Sequence, residues 1–282
     1  MPRENIFDSD AVERVDTGSQ FAHPVIQGAL PLAEKLIQEN AIDPHMFADL
    51  YGRENVERDL KKVAEFEKKF SKDPAHKTAK VLEAIMLAGE LHNWFGNNTE
   101  VIKSSRFDDI IGGTDLILEL EEIMPRRFSQ LSIAVDVTFS SLAQEKKFER
   151  IKEEIDRGKL ATIKYFHSEK EHFRGERSNI PRVVIGIEYS RVIELAALWL
   201  RKENVALASH PVQRVILEEI ALQLEVFGKY SEKIKKSRHL TPIFERDLAI
   251  IQDILKEKQK IQLGDYANDR VMNGIQTRLA TF

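Results

Sequence analysis

The sequence predicts an α/β protein in which a short mixed sheet is flanked by helices, with further helices added at both ends of the chain. Apolar residues recur at helical spacing near both ends of the 282-residue sequence. The middle of the chain instead contains short β-like runs with an amphipathic helix between them. With 42% hydrophobic and 31% charged residues, the composition is that of a globular domain with a sizeable core.

Helices are predicted first, over 24–39, 55–72 and 77–95. The second is polar with a narrow apolar stripe, which is typical of a surface helix. The third is apolar nearly all round, so we expect it to be buried.

The β-like runs lie at 114–120, 131–138, 161–167 and 182–187. Between the second and third runs, 141–157 forms an amphipathic helix that Gly158 ends. A further helix is expected over 190–202. This order predicts a layered α/β core at 77–206.

The remaining 207–282 is predicted to be a helical C-terminal extension, and 1–76 a helical N-terminal extension packed on the core. Ser209 is the expected N-cap of a helix that begins near Pro211. Residues 264–282 show no strong periodicity.

Composition excludes several classes of protein and site. The 42 basic and 46 acidic side chains give a net charge of −4, which argues against bulk electrostatic binding of nucleic acid but leaves room for a local basic face. The absence of cysteine excludes disulfides and thiolate chemistry. No apolar run is long enough to span a membrane and no signal-peptide core follows Met1, so we expect a cytoplasmic protein without membrane partners.

Two carboxylates are candidates for a metal site. Asp115 opens an apolar run after Gly112 and Gly113, and Asp136 lies near the end of the most strand-like segment. A carboxylate in a central strand needs a cation or hydrogen-bond donors beside it. If the two strands are adjacent and antiparallel, both groups meet and form a Mg²⁺ or Mn²⁺ site. Pairing with a buried arginine, or capping of a turn, is the alternative.

Neighbouring segments add polar candidates. In the helix after Asp136, Gln144 lies on the sheet-facing stripe and Lys147 on its flank. Glu83 and Glu90 are seven residues apart in the buried helix, so one is expected to face the acidic site. The Asp108-Asp109 pair either adds a ligand near Asp115 or forms a solvated turn.

This arrangement resembles the PD-(D/E)XK nuclease superfamily, whose restriction-endonuclease-like core has the order α-β-β-β-α-β. The matching segments are the helix with Glu90, then Gly113-Thr114-Asp115-Leu116-Ile117-Leu118, then Ile133-Ala134-Val135-Asp136-Val137-Thr138, then Gln144-Glu145-Lys146-Lys147-Phe148. The resemblance covers 77–190. It implies that Asp115 is the acid of the second motif, Asp136 that of the third and Glu90 that of the first. Gln144 with Phe148 is similar to a Gln-x-x-x-Tyr element.

The resemblance implies that Asp115, Asp136 and the Val137 carbonyl hold Mg²⁺ or Mn²⁺, with Glu90 bound directly or through water. The third motif departs from the family, because Thr138 stands where the family has a lysine. Lys147 is the expected replacement, with Lys164 in reserve.

Two functions therefore remain open. The first is a metal-dependent nuclease acting on DNA or RNA, with DNA the preferred expectation and a homodimer left open. The second is a non-catalytic nuclease-fold scaffold that binds nucleic acid or protein partners. The basic run at 229–238 either tracks a phosphate backbone or is a solvated helix end.

Overall fold

The computed structural model describes residues 23–70, 74–123, 126–136, 141–268 and 270–282. The helices that precede the first strand are α1 (Pro24–Asn40), α2 (Ala48–Tyr51), α3 (Arg53–Phe70) and α4 (Pro74–Ala88). The prediction that helices come first and strands occupy the middle of the chain is confirmed.

The strands form one sheet and one separate hairpin. The sheet contains β1 (Thr99–Lys103), β2 (Leu116–Ile123), β3 (Arg126–Asp136) and β6 (Arg182–Gly186), in that spatial order. The β1–β2 and β2–β3 pairs are antiparallel and the β3–β6 pair is parallel. The hairpin consists of β4 (Ala161–Ser168) and β5 (Phe173–Ile180). The predicted runs 114–120 and 131–138 are therefore neighbours, whereas β1 and β5 were not predicted.

The other helices complete the chain order. They are α5 (Arg106–Ile110) between β1 and β2, α6 (Ser141–Asp156) after β3, and then α7 (Tyr189–Leu200), α8 (Asn204–Ala208), α9 (Val212–Lys233), α10 (Thr241–Glu257) and α11 (Arg270–Leu279). Over the described ranges, no helix is both long and apolar enough to cross a membrane.

The two faces of the sheet are covered differently, because alternate side chains of a strand point to opposite sides. Leu116 and Leu118 of β2 belong to the main core, to which α1, α4, α6, α7, α9, α10 and α11 contribute. Ile117 points the other way and packs with Ile163 and Phe166 of the hairpin. The hairpin therefore shields the sheet face that the helices leave open.

Helix α9 covers the outer edge of β6. The side-chain amide of Gln223 accepts from the Val184 amide and donates to its carbonyl, each at 2.8 Å. Glu219 accepts from the Gly186 amide at 3.1 Å. These bonds satisfy backbone groups that an open edge strand would otherwise expose to other chains.

Three local predictions need correction. The helix predicted over 77–95 ends at Ala88 and continues as the 3₁₀ turn Gly89–His92, so Glu90 does not share an α-helical stripe with Glu83. Ser209 does not cap α9, because its hydroxyl donates back to the Val205 carbonyl at 3.0 Å. The segment without clear periodicity contains α11.

Candidate functional site

The candidate site is built around Lys103, the last residue of β1, whose side chain is only 1% exposed. Its ammonium lies 3.0 Å from Glu83 Oε1 on α4 and 2.8 Å from Asp109 Oδ2 on α5. It also donates to the backbone carbonyl of Asp115 at 2.8 Å. Helix α4, helix α5 and the segment that leads into β2 therefore meet at one ammonium group.

The turn before Asp115 depends on glycine. A Cβ on Gly112 would lie 2.2 Å from the Asp108 carbonyl oxygen, which is a severe clash with backbone. Gly113 has φ +66°, a left-handed conformation that favours glycine. The amides of Gly113 and Thr114 donate to the Asp109 and Asp108 carbonyls at 2.8 and 3.0 Å. This tight return from α5 brings Asp115 back beside Asp109.

The neighbouring aspartates of α5 have different roles. Ser105 caps the helix by accepting from the Asp108 amide at 3.1 Å. The buried Asp108 carboxylate accepts from the backbone amides of Lys164 and Tyr165, at 2.7 and 3.0 Å. Asp108 thus attaches α5 to β4, while Asp109 is turned toward Lys103.

Glu83, Asp109 and Asp115 each offer one carboxylate oxygen to a group in which these oxygens all lie within 4.8 Å of one another. Burial raises the pKa of Glu83 to about 7, against the pull of Lys103. Burial, together with the charges of Asp109 and Glu83, raises the pKa of Asp115 well above its usual range. Three acids around one ammonium hold more negative charge than the lysine neutralises.

The three carboxylates also shift the pKa of Lys103. Burial by itself disfavours the charged ammonium, but the carboxylates of Asp109, Glu83 and Asp115 outweigh burial and raise the pKa of Lys103 above its ordinary value. Lys103 is therefore a fixed positive charge at the centre of the acidic cluster, which we call the Lys103 cluster.

The structure brings some of the predicted residues to this cluster. Asp115 belongs to it, and the charge of Lys147 on α6 lowers the Asp115 pKa against the larger effects that raise it. β3 runs antiparallel to β2 with Ile133 opposite Leu116, so the Asp136 backbone lies at the sheet end where β2 begins. Val137 and Thr138 lie outside the described residues, as do the side chains of Glu90, Asp136 and Gln144.

Glu83 is the glutamate whose described side chain reaches the Lys103 cluster. Lys164, the reserve candidate, pairs instead with Asp59 of α3. Its ammonium lies 5.2–5.4 Å from the ring centroids of Tyr51, Phe107 and Tyr165. Lys164 therefore belongs to a different cluster, which consists of Asp59 and the surrounding aromatic rings.

Sequence reasoning missed Lys103 because β1 was not predicted. The run Thr99-Glu100-Val101-Ile102-Lys103 contains three β-branched residues and was the available signal. Asp109 was a candidate ligand, but the local sequence did not distinguish its role from that of Asp108.

The basic run 229–238 lies at the end of α9 and in the turn after it. Its cationic side chains are exposed: Lys229, Lys233, Lys235, Lys236 and Arg238. Lys229 pairs with Glu225, and Arg238 donates to the Glu232 carbonyl at 3.1 Å. These contacts fit a solvated helix end and do not by themselves indicate a ligand.

No family model, no curated protein and no solved structure matches the chain.

Proposed function

We propose that this protein is a metal-dependent nuclease that hydrolyses phosphodiester bonds, and that the Lys103 cluster is its metal site. What supports this proposal is the convergence of Glu83, Asp109 and Asp115 on a single buried ammonium, at the sheet end where β3 finishes.

The order of elements also supports the proposal. Leaving out the β4–β5 hairpin, the chain runs α4-β1-α5-β2-β3-α6-β6. Only the short α5 interrupts the three successive strands. The order β1-β2-β3-β6 with a parallel last pair suits the α-β-β-β-α-β core that the resemblance to the PD-(D/E)XK superfamily implies. Both predicted strand acids, Asp115 and Asp136, belong to the same end of this sheet.

The donor chemistry fits a hard divalent cation. Three ionised carboxylates around one ammonium leave two negative charges to be balanced by protons or by a cation. Mg²⁺ and Mn²⁺ prefer oxygen ligands, and Glu83, Asp109 and Asp115 would supply them. When bound, such an ion polarises a phosphate and lowers the pKa of a bound water.

The lysines complete the proposed site. Lys103 extends from β1 to a position beside the acids and keeps the carboxylates close together. Its positive charge offsets the absence of a lysine at position 138, where this chain has Thr138. Its donors already serve Glu83, Asp109 and the Asp115 carbonyl. Lys147 is half-buried on the flank of the cluster and is the group that we expect to face a substrate phosphate.

One observation favours the alternative of a non-catalytic scaffold. Because the Lys103 ammonium already has three acceptors, it stabilises part of the acidic cluster without any metal. In that case protons would take the place of the metal, since burial raises the pKa of Glu83 to about 7 and raises the pKa of Asp115 well above its usual range.

Titration calorimetry with Mn²⁺ and Mg²⁺, combined with cleavage of single- and double-stranded DNA and RNA, separates these functions. The wild type should bind the ion and cleave. Asp115→Asn should lower the cleavage rate by about 10³-fold and weaken metal binding, since it replaces a charged carboxylate by a neutral amide.

Asp59→Asn is the control, because Asp59 is a buried carboxylate that pairs with Lys164 outside the cluster. Circular dichroism checks that both variants fold. Absence of metal binding and of cleavage in the wild type would favour the scaffold. Equal metal binding by wild type and Asp115→Asn would place any metal elsewhere.

A further inference from the structure

Helix α6 presents charged groups toward the Gly112–Gly113 turn. Lys147, Arg150 and Glu154 are three and then four residues apart, which puts them on one face of the helix. Lys147 acts electrostatically on Asp115. Arg150 lies one turn further along and is 45% exposed.

Arg150 approaches the turn closely. A Cβ on Gly113 would lie 2.8 Å from Nη1 of Arg150 and 3.7 Å from Nη1 of Arg182. The glycine therefore leaves space for two guanidinium groups beside the backbone that leads into Asp115.

These two arginines share one carboxylate. Glu154 Oε1 lies 3.3 Å from Arg150 Nε and 3.4 Å from Arg182 Nη2. Arginine stays protonated in proteins, so the one carboxylate of Glu154 faces two fixed positive charges, and Asp115 also acts electrostatically on Arg182.

The two arginines differ in what they can reach. Arg182 is only 3% exposed and donates to the Gly113 carbonyl and, at 3.0 Å, to the Thr114 hydroxyl. Its buried Nε has no hydrogen-bond partner among the described residues. Arg182 therefore holds the turn, whereas the exposed Arg150 guanidinium faces solvent at the rim of the Lys103 cluster.

We propose that Arg150 binds a backbone phosphate of nucleic acid next to the phosphate at the Lys103 cluster. The inference rests on the proposed nuclease function, whose substrate-binding surface it extends. A planar guanidinium forms two parallel hydrogen bonds to a phosphate. Lys147 and Arg150, one helical turn apart, would contact successive positions along the strand.

The test is DNA binding without metal. Fluorescence anisotropy with labelled single- and double-stranded oligonucleotides is measured in EDTA over about 50–200 mM salt. Arg150→Gln should weaken binding about tenfold near 0.1 M salt and reduce the salt slope by about one, because one phosphate contact is lost.

Arg157→Gln is the control. Arg157 lies seven residues further along the chain, is 71% exposed and pairs with Glu153 at 2.9 Å, as Arg150 pairs with Glu154. It should bind DNA like the wild type. Equal effects of the two variants, wild-type affinity in Arg150→Gln, or no DNA binding by the wild type would overturn the phosphate site.

Cleavage assays on the same proteins keep the two proposals apart. If the wild type does not cleave but Arg150→Gln alone loses affinity, the nuclease proposal fails and the phosphate site stands. If the wild type cleaves and Arg150→Gln binds DNA normally, the nuclease proposal stands and the phosphate site is wrong.

Discussion

Two lysines of this protein sit among carboxylates in opposite electrostatic settings. Lys164 pairs with Asp59, which also accepts from the Tyr165 hydroxyl at 3.0 Å. Burial alone would raise the Asp59 pKa, but the hydrogen bonds from Lys164 and Tyr165 outweigh it and lower the pKa. In the Lys103 cluster the pKa of Glu83 and that of Asp115 move upward instead.

The difference lies in burial and in the ratio of acids to bases. Asp59 has two bases beside it, Lys164 and, at 3.4 Å, Lys62, so its negative charge is fully countered. Aromatic rings also surround the Lys164 ammonium. Three acids around one base leave charge that a proton or a cation must balance. Burial and charge imbalance together mark the Lys103 cluster as a candidate functional site.

The largest expected effect comes from removing each lysine. Lys103→Met leaves the carboxylates of its cluster without their counter-charge, so the free energy of unfolding in EDTA should fall by about 3–5 kcal/mol. Lys164→Met should cost about 1–2 kcal/mol, because the side chain is 27% exposed and solvent partly replaces the pair. Urea denaturation measures both values.

Added Mn²⁺ sharpens this comparison. It should restore part of the stability of Lys103→Met, since the cation replaces the missing positive charge, and leave Lys164→Met unchanged. If Mn²⁺ stabilised neither variant or both equally, the imbalance would not reflect a cation site.

A smaller effect is expected from the lysine on the flank of the cluster. Lys147→Ala should lower the cleavage rate by about 10²-fold without unfolding the protein, because its ammonium would no longer offset charge on the reacting phosphate. Lys146, the preceding residue, is exposed, and Lys146→Ala should change the cleavage rate little. Single-turnover cleavage of the two variants measures this, and equal small effects would show that Lys147 has no such role.

The smallest effect concerns pH. Between its ordinary pKa of 4.5 and about 7, Glu83 keeps a proton in the folded chain that the unfolded chain has lost. The metal-free protein should therefore become less stable as pH rises through this range. Mn²⁺ competes with that proton, so its affinity should rise up to about tenfold per pH unit and level off above pH ~7.

Calorimetry and urea denaturation at about pH 5.5, 6.5 and 7.5 test both slopes. Glu83→Gln should reduce the pH dependence of both the stability and the Mn²⁺ affinity, because the amide does not titrate. Unchanged slopes in Glu83→Gln would assign the proton to another group, with Asp115 the next to examine.

Local sequence patterns determined much of the α/β framework. The β-like apolar runs at 114–120 and 131–138 predicted strands of one sheet, and β2 pairs with β3. Gly112 and Gly113 marked a tight turn, and an acid at the start of an apolar run marked Asp115. These features depend on residues close in sequence, and they can be recognised for that reason.

The partners of Asp115 were decided by tertiary structure. Lys103 reaches the site because β1 pairs with β2 in the register that sets Lys103 opposite Leu116. Asp108 and Asp109 have the same chemistry, and only the position of β4 directs one to the backbone and the other to the lysine. The sequence by itself determined most of the strands and helices, and that the Asp115 carboxylate needs a cation or hydrogen-bond donors beside it. Only the folded chain decided which charges meet there, because strand register and helix docking bring together groups that no local pattern relates.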